Sequence, residues 1–162
     1  MSRTHSATEF IAAPALALYR IVSDVTRTGE WSPTCRACEW EDPARTGVGA
    51  SFIGHNETPA RSWTSRSTVV TADPGRAFAW EVGKGWVRWS YTLTETGDGV
   101  TELTHAWEFT DAGLQHFVDK YGAAGADEWI RQRTESAHAD MPRTLAAIRE
   151  IAEREAAESE TA

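Results

Sequence analysis

A chain of 162 residues is long enough to close one full hydrophobic core and short enough that a second domain is not required. Its formal charge of −8 argues against duplex nucleic acid and anionic membrane surfaces as partners, since both select basic faces. No apolar run approaches the roughly 20 residues of a membrane span, and the opening MSRTHSATEF lacks the apolar stretch of a secretory leader, so a cytoplasmic protein with reduced thiols is expected.

Thr4–Ala12 reads as a first strand that stops at Ala13-Pro14. Pro14 suits the first position of a helix, where its missing N–H costs nothing, and ALALYRIV continues helically to about Val22. Asp24 is placed to cap a second short helix that Gly29 would terminate. Strand signals then follow closely: Cys35–Trp40, Ala50–Asn56, Arg61–Thr71, Arg76–Val82, Val87–Glu95 and Thr101–Thr110, with an Asp98-Gly99 hairpin turn before the last. Alternation is clear in three of them. Phe78, Trp80 and Val82 share a face, as do Val87, Trp89, Tyr91 and Leu93, and again Leu103, His105, Trp107 and Phe109. The opposite face carries Arg88, Ser90, Thr92, Thr104 and Glu108, the pattern of an antiparallel sheet with one wet side.

After Asp111 the period changes to that of helix. Gly113–Tyr121 predicts a short helix broken at GAAGAD, followed by a long one from about Glu128 to Glu155. Thr134, His138, Met141, Leu145, Ile148 and Ala152 form its sheet-facing stripe. Pro142 should kink or restart that helix with Asp140 as the new cap, and about 156–162 should fray. The whole is expected to be one domain spanning 1–162.

Tryptophan is the compositional anomaly: eight of them against five Phe and three Tyr, which suits a wide interior or a pocket better than a minimal core. Parity along the strands predicts an inward set in which Cys38, Trp40, Phe52, Asn56, Trp63, Ser65 and Ser67 belong to the first half of the sheet. Phe78, Trp80, Trp89, Tyr91, Leu103, His105 and Trp107 belong to the second. Met141, Leu145 and His138 would close the chamber from the helix. An apolar chamber with a few polar groups is the usual make-up of a small-molecule site, and flat indole walls suit a flat ligand. His105, flanked by Leu103 and Trp107, could take a proton or orient a ligand hydroxyl, or be a satisfied core histidine; Tyr91 has the same two readings.

The only cysteines stand in WSPTCRACEW, spaced Cys-x-x-Cys. On a regular strand, residues three apart point to opposite faces, so Cys38 should face inward, Cys35 outward, and the sulfurs diverge. A zinc site would need further ligands that no His-x₃₋₅-His pair supplies, and a thioredoxin-like motif opens a helix rather than a strand. Neither metal nor cofactor is expected.

The pieces AAPALALYRIVSDV, GEWSP, GASFIGHN, DPGRAFAWEV, VRWSYTL and TELTHAWEF, in that order, resemble the helix-grip superfamily of START domains and birch-pollen-allergen-like proteins, and especially its actinobacterial polyketide cyclase/dehydrase-like group. The resemblance implies an α+β helix-grip fold: a curved seven-stranded antiparallel sheet wrapped around a long C-terminal helix, with two short helices after strand 1. It also implies a cavity for lipids or aromatic polyketides, with Trp31 at its mouth. The aromatase/cyclase pattern places an inward arginine on the strand matching Arg61–Thr71; here Trp63 and Ser67 keep plausible places, but Val69 stands where the arginine would, and Arg66 faces out. The tyrosine of the second strand falls at about Cys38. The expected function is therefore binding of a hydrophobic or aromatic small molecule, polyketide- or lipid-like. The alternative is a cyclase or dehydratase using His105 and Tyr91 for proton transfer. Assembly as a homodimer is left open.

Overall fold

The computed structural model describes residues 3–161. Seven strands, β1 (Thr4–Ile11), β2 (Cys35–Trp40), β3 (Ser51–Thr58), β4 (Arg61–Asp73), β5 (Ala77–Val82), β6 (Val87–Gly97) and β7 (Val100–Phe109), form one antiparallel sheet in the order β1-β7-β6-β5-β4-β3-β2. Each strand from β2 onward pairs with its successor in the chain, and β1 is laid beside β7 to close the far edge. The β6–β7 turn is the expected one: Asp98 and Gly99 both have positive φ, 55° and 73°, which gives a two-residue connection the twist that adjoining strands need.

The two short helices lie between β1 and β2. The α-helix α1 (Ala15–Val22) starts one residue after the expected position, with Pro14 at its N-cap in extended conformation. The second is a 3₁₀ turn, Val25–Glu30, capped as expected by Asp24, whose carboxylate accepts from the Thr26 N–H at 3.1 Å. Gly29 sits hard against β2. A Cβ there would stand 2.2 Å from the Arg36 carbonyl oxygen, so only glycine allows the turn to approach the strand this closely.

A single helical segment, α2 (Asp111–Thr161), completes the chain and departs from the expected course in three ways. Its one non-helical residue is Gly122 (φ 75°, ψ 169°), so the break is confined to one residue instead of the whole GAAGAD stretch. Such a φ is open to glycine and costly to other residues. Pro142 neither breaks nor restarts the helix; its neighbours keep helical dihedrals. The stretch 156–161 is helical rather than frayed, with Ile151 and Ala152 buried just before it and Arg27 reaching from the 3₁₀ turn to Glu155 at 3.0 Å. Residues 1, 2 and 162 lie outside the described residues.

The buried positions of α2 beyond the bend are Ala126, Ile130, Ala137, Met141, Thr144, Leu145, Ile148, Ile151 and Ala152. The stripe is the expected one from Met141 onward, but on its N-terminal side it runs through Ala137 and not His138, which is exposed and stacks on His5 at 3.7 Å. The helix packs principally on β1, β7 and α1. It therefore seals one half of the concave sheet, filled by Ile11, Leu18, Leu103, Leu145 and Ile148, and stands away from the half formed by β3, β4 and β5. That gap is where the cavity lies.

Candidate functional site

A cavity of about 520 Å³ occupies the space between the inner face of the sheet and α2. Its floor is a run of rings delivered by cross-strand pairing. Trp80 of β5 is opposite Trp89 of β6, and Tyr91 of β6 is opposite His105 of β7. Trp80 and Trp89 stack with centroids 6.4 Å apart and planes 12° from parallel; Tyr91 and His105 stack at 4.3 Å and 13°; Trp89 lies 5.2 Å from His105. Pairs of this kind contribute about 0.5–1.5 kcal/mol each beyond the area they bury, and their parallel planes set up a flat wall. Phe52 and Phe78 meet Trp80 edge-on or tilted, and Met141 comes down from α2.

His105 is 4% exposed, and its Nδ1 lies 3.1 Å from the carbonyl oxygen of Ser90. A carbonyl only accepts, so Nδ1 carries the proton and Nε2 is left with its lone pair. Burial pulls the imidazole down to about 4, against a smaller opposing effect of the Ser90 carbonyl. The ring is therefore neutral at pH 7, a hydrogen-bond acceptor but a weak base. Burial likewise pushes the Tyr91 phenol up, with a smaller opposing contribution from the Trp31 indole, so its hydroxyl stays protonated. The two rings lie face to face, an arrangement for packing rather than for passing a proton between them.

Most of the residues expected at the site do line the cavity: Trp31, Cys38, Phe52, Asn56, Trp63 and Ser67 from the first half of the chain. From the second come Phe78, Trp80, Trp89, Tyr91, His105, Trp107 and Met141. Three do not. Trp40 shares the inward face but is spent against Phe52 at 5.5 Å, while Leu103 and Leu145 are sealed in the core on the closed side. Asn56 lies within β3, which continues past the expected end to Thr58, and its amide donates to the Ser65 hydroxyl at 3.1 Å. Val69 is buried at 1% exposure, and Arg66 lies outside, bonded twice to Glu41 at 2.6 and 2.9 Å.

The expectation for Cys35 is overturned. Cys35 pairs with Asn56 and Cys38 with Gly54, residues two apart on β3, because Arg36 is bulged out of the ladder. The extra residue restores the parity that a spacing of three would have broken. Both sulfurs therefore face the cavity, 3.3 Å apart and unbonded. The contact with Cys38 holds the Cys35 thiol below its usual value, and the same contact together with burial pushes Cys38 up. Exchange with a low-molecular-weight disulfide is expected to form a Cys35–Cys38 bond: the Cys35 thiolate attacks the added disulfide, Cys38 displaces the bound half, and two reduced small thiols leave. Mass spectrometry after alkylation reads the result; two alkylated cysteines in every molecule would contradict the geometry. Among the described residues, no three His, Cys, Asp or Glu side chains converge to hold a metal ion.

Other lining residues were not expected. Arg61, Lys120 and Tyr121 are exposed, which marks the place where the cavity meets solvent. There Trp63 of β4 and Trp129 of α2 stand beside Arg61 and Arg133, and Phe117 stacks on Trp129 at 4.8 Å. Two signals were present in the sequence. Arg61 shares the strand face of Trp63 by period two, and Arg133 shares the helix face of Trp129 at i, i+4.

A one-piece curved antiparallel sheet closed by a C-terminal helix, with a cavity between them, defines the helix-grip class. The sequence agrees: residues 3–145 match the family model described as polyketide cyclase / dehydrase and lipid transport, and the chain belongs to that family. The polyketide-cyclase-like protein Cgl2372 of Corynebacterium glutamicum is 44% identical, with 96% of this chain and 94% of that one covered at a TM-score of 0.69. The ZhuI aromatase/cyclase of Streptomyces sp. R1128 shares the fold at 23% identity, covering 94% of each chain, with a TM-score of 0.66. The di-domain aromatase/cyclase StfQ of steffimycin biosynthesis shares it at 17% identity and a TM-score of 0.68, 96% of this chain matching 52% of that one. Among curated proteins none matches the chain in sequence. No helix among the described residues is long and apolar enough to cross a membrane.

Proposed function

We propose that this protein binds a flat apolar or aromatic small molecule, polyketide- or lipid-like, between Trp80, Trp89 and Met141. The observation that carries the reading is a cavity of about 520 Å³ whose floor is a run of stacked rings, within the size range of small-molecule sites. The family membership supports a polyketide-related or lipid-related ligand. Among the polar groups on its walls are the Nε2 acceptor of His105 and the hydroxyl of Ser67. These suit orienting a ligand hydroxyl. A general base works best with a pKa near the working pH, and His105 at about 4 lies well below it. The balance therefore favours a carrier or sensor over a cyclase that moves protons through His105 and Tyr91.

Polycyclic aromatic ligands are expected to quench the tryptophan fluorescence saturably. Ser67→Trp, which adds an indole at a position only 2% exposed, should abolish the quenching while circular dichroism stays unchanged. His105→Ala should weaken a hydroxylated ligand only a few fold, about the worth of one neutral hydrogen bond. A flat response across a chemically diverse panel removes the binding reading. Turnover of a poly-β-keto substrate, lost in His105→Ala, would replace it with the enzymatic one.

A further inference from the structure

Where the cavity opens, two guanidinium groups share one pair of indoles. Arg61 lies 4.2 Å from the Trp63 ring centroid and 5.5 Å from that of Trp129; Arg133 lies 4.3 Å from Trp129 and 5.2 Å from Trp63. Each cation thus rests on both indoles. Cation–π contacts hold a guanidinium by its face, but leave its five in-plane N–H donors free to bond elsewhere. Among the described residues, neither Arg61 nor Arg133 donates a side-chain hydrogen bond or pairs with a carboxylate, in a chain with 24 Asp and Glu against 16 Lys and Arg. Other arginines do find partners: Arg27, Arg66, Arg88, Arg131 and Arg149 all hold carboxylates within 3.1 Å.

Arg133 is half-buried, and that burial, together with the repulsion of Arg61, pulls its pKa down to about 10. Two like charges, Arg61 exposed and Arg133 half-buried, are therefore held on the same indoles, and among the described residues neither has a carboxylate partner. Lys120 adds a third cation to the lining. The one carboxylate there, Asp140, is already held by Arg143 at 3.6 Å.

We propose that Arg61 and Arg133 form an anion subsite at the mouth of the cavity, and that the ligand is an amphiphilic organic anion. Its flat apolar body lies along Trp80 and Trp89, and its carboxylate, or an equally compact acidic head, sits between the two guanidinium groups. This rests on the cavity reading above and adds the chemical class of the ligand. Trp63 and Trp129 serve the subsite twice. They hold both guanidinium groups in place before the ligand arrives, so little side-chain freedom is lost on binding. They also present apolar flanks to the part of the ligand next to its head.

A pair of probes with one scaffold tests the assignment. Anilinonaphthalenesulfonate carries an acidic head on a flat aromatic body; N-phenylnaphthylamine is the same body without it. Both are titrated by energy transfer from tryptophan into wild type, Arg61→Gln, Arg133→Gln and the double variant. The sulfonate should bind wild type about tenfold more tightly than the neutral probe or better, the factor one charge-assisted hydrogen bond supplies. Each single variant should lose about tenfold for the sulfonate and no more than about threefold for the neutral probe. The double variant should show no preference.

Equal affinity of the two probes for wild type, or a preference that survives in the double variant, overturns the subsite and leaves the cavity reading standing. Failure of both probes to bind wild type removes the cavity reading itself. Should the double variant not fold, the same titration of wild type against rising salt decides. The preference must shrink with ionic strength, because the attraction is between a charge pair open to solvent; a preference indifferent to salt overturns the subsite as well.

Discussion

Between pH 6.5 and pH 4, His105 alone is expected to remove about 3 kcal/mol from the stability of the fold. The sign follows from proton counting. In the unfolded chain His105 takes up a proton near its ordinary value of 6.5, whereas in the folded protein it does so only near 4. Between those values the unfolded state binds more protons, so stability is fully present above pH 6.5 and drains away as the pH falls. The cause is burial: the imidazole lies between Tyr91 and Trp89 with one bond to the Ser90 carbonyl, and nothing beside it can balance a positive charge. Urea unfolding at a series of pH values, for wild type and His105→Phe, isolates this contribution. Carboxylates held below their usual range, such as Glu30 beside Arg27, also weaken the fold in acid, but they act equally in both proteins. The difference between the two should change by about 3 kcal/mol over that interval. A constant difference would mean that His105 is solvated, and with it the dry floor of the cavity would be lost.

Gly29→Ala should strongly destabilise the part of the molecule that carries β2 and the paired cysteines. The added Cβ would stand 2.2 Å from the Arg36 carbonyl oxygen, which is backbone and cannot swing aside as a side chain would. Either the 3₁₀ turn Val25–Glu30 lifts from β2 or the bulge at Arg36 is pushed out of register. Overpacking of this kind costs about 1–3 kcal/mol, and the upper end is expected because the clash is with main chain on both sides. The variant should also lose the close approach of Cys35 and Cys38, since the bulge is what turns both sulfurs the same way. Two readouts follow: a lower urea midpoint, and slower disulfide formation on exchange with a small disulfide. A variant as stable as wild type, with disulfide formation unchanged, would show that the turn and the strand are not in contact.

These two residues show how far sequence carries. The alternation of Val87, Trp89, Tyr91 and Leu93, and of Leu103, His105, Trp107 and Phe109, requires no partner to be read, because a strand repeats every two residues whatever it pairs with. It placed His105 on the aromatic face, and the folded chain keeps it there. The same rule failed at Cys35, three residues from Cys38, because a bulge resets the count and CRAC carries no glycine or proline to announce one. The bulged Arg36 lies with its carbonyl against Gly29 of the preceding turn, a contact that exists only after the chain has folded back.

The helix reads the same way. Its stripe from Met141 to Ala152 is legible as a period of 3.6, and the fold class followed from strands, short helices and a terminal helix in that order. Pro142 pointed to a possible restart that did not occur, and GAAGAD to a break of which only Gly122 leaves the helix. The mouth of the cavity lay furthest from reach. Arg61 with Trp63, and Trp129 with Arg133, are each visible as same-face pairs, but one pair is on a strand and the other on a helix far along the chain. Local periodicity by itself determined which way the rings on β6 and β7 point. The meeting of two cations over two indoles was decided only by the tertiary structure, where α2 bends at Gly122 and crosses the open end of the sheet, because charge repulsion and shared burial arise between segments and have no signature within either one.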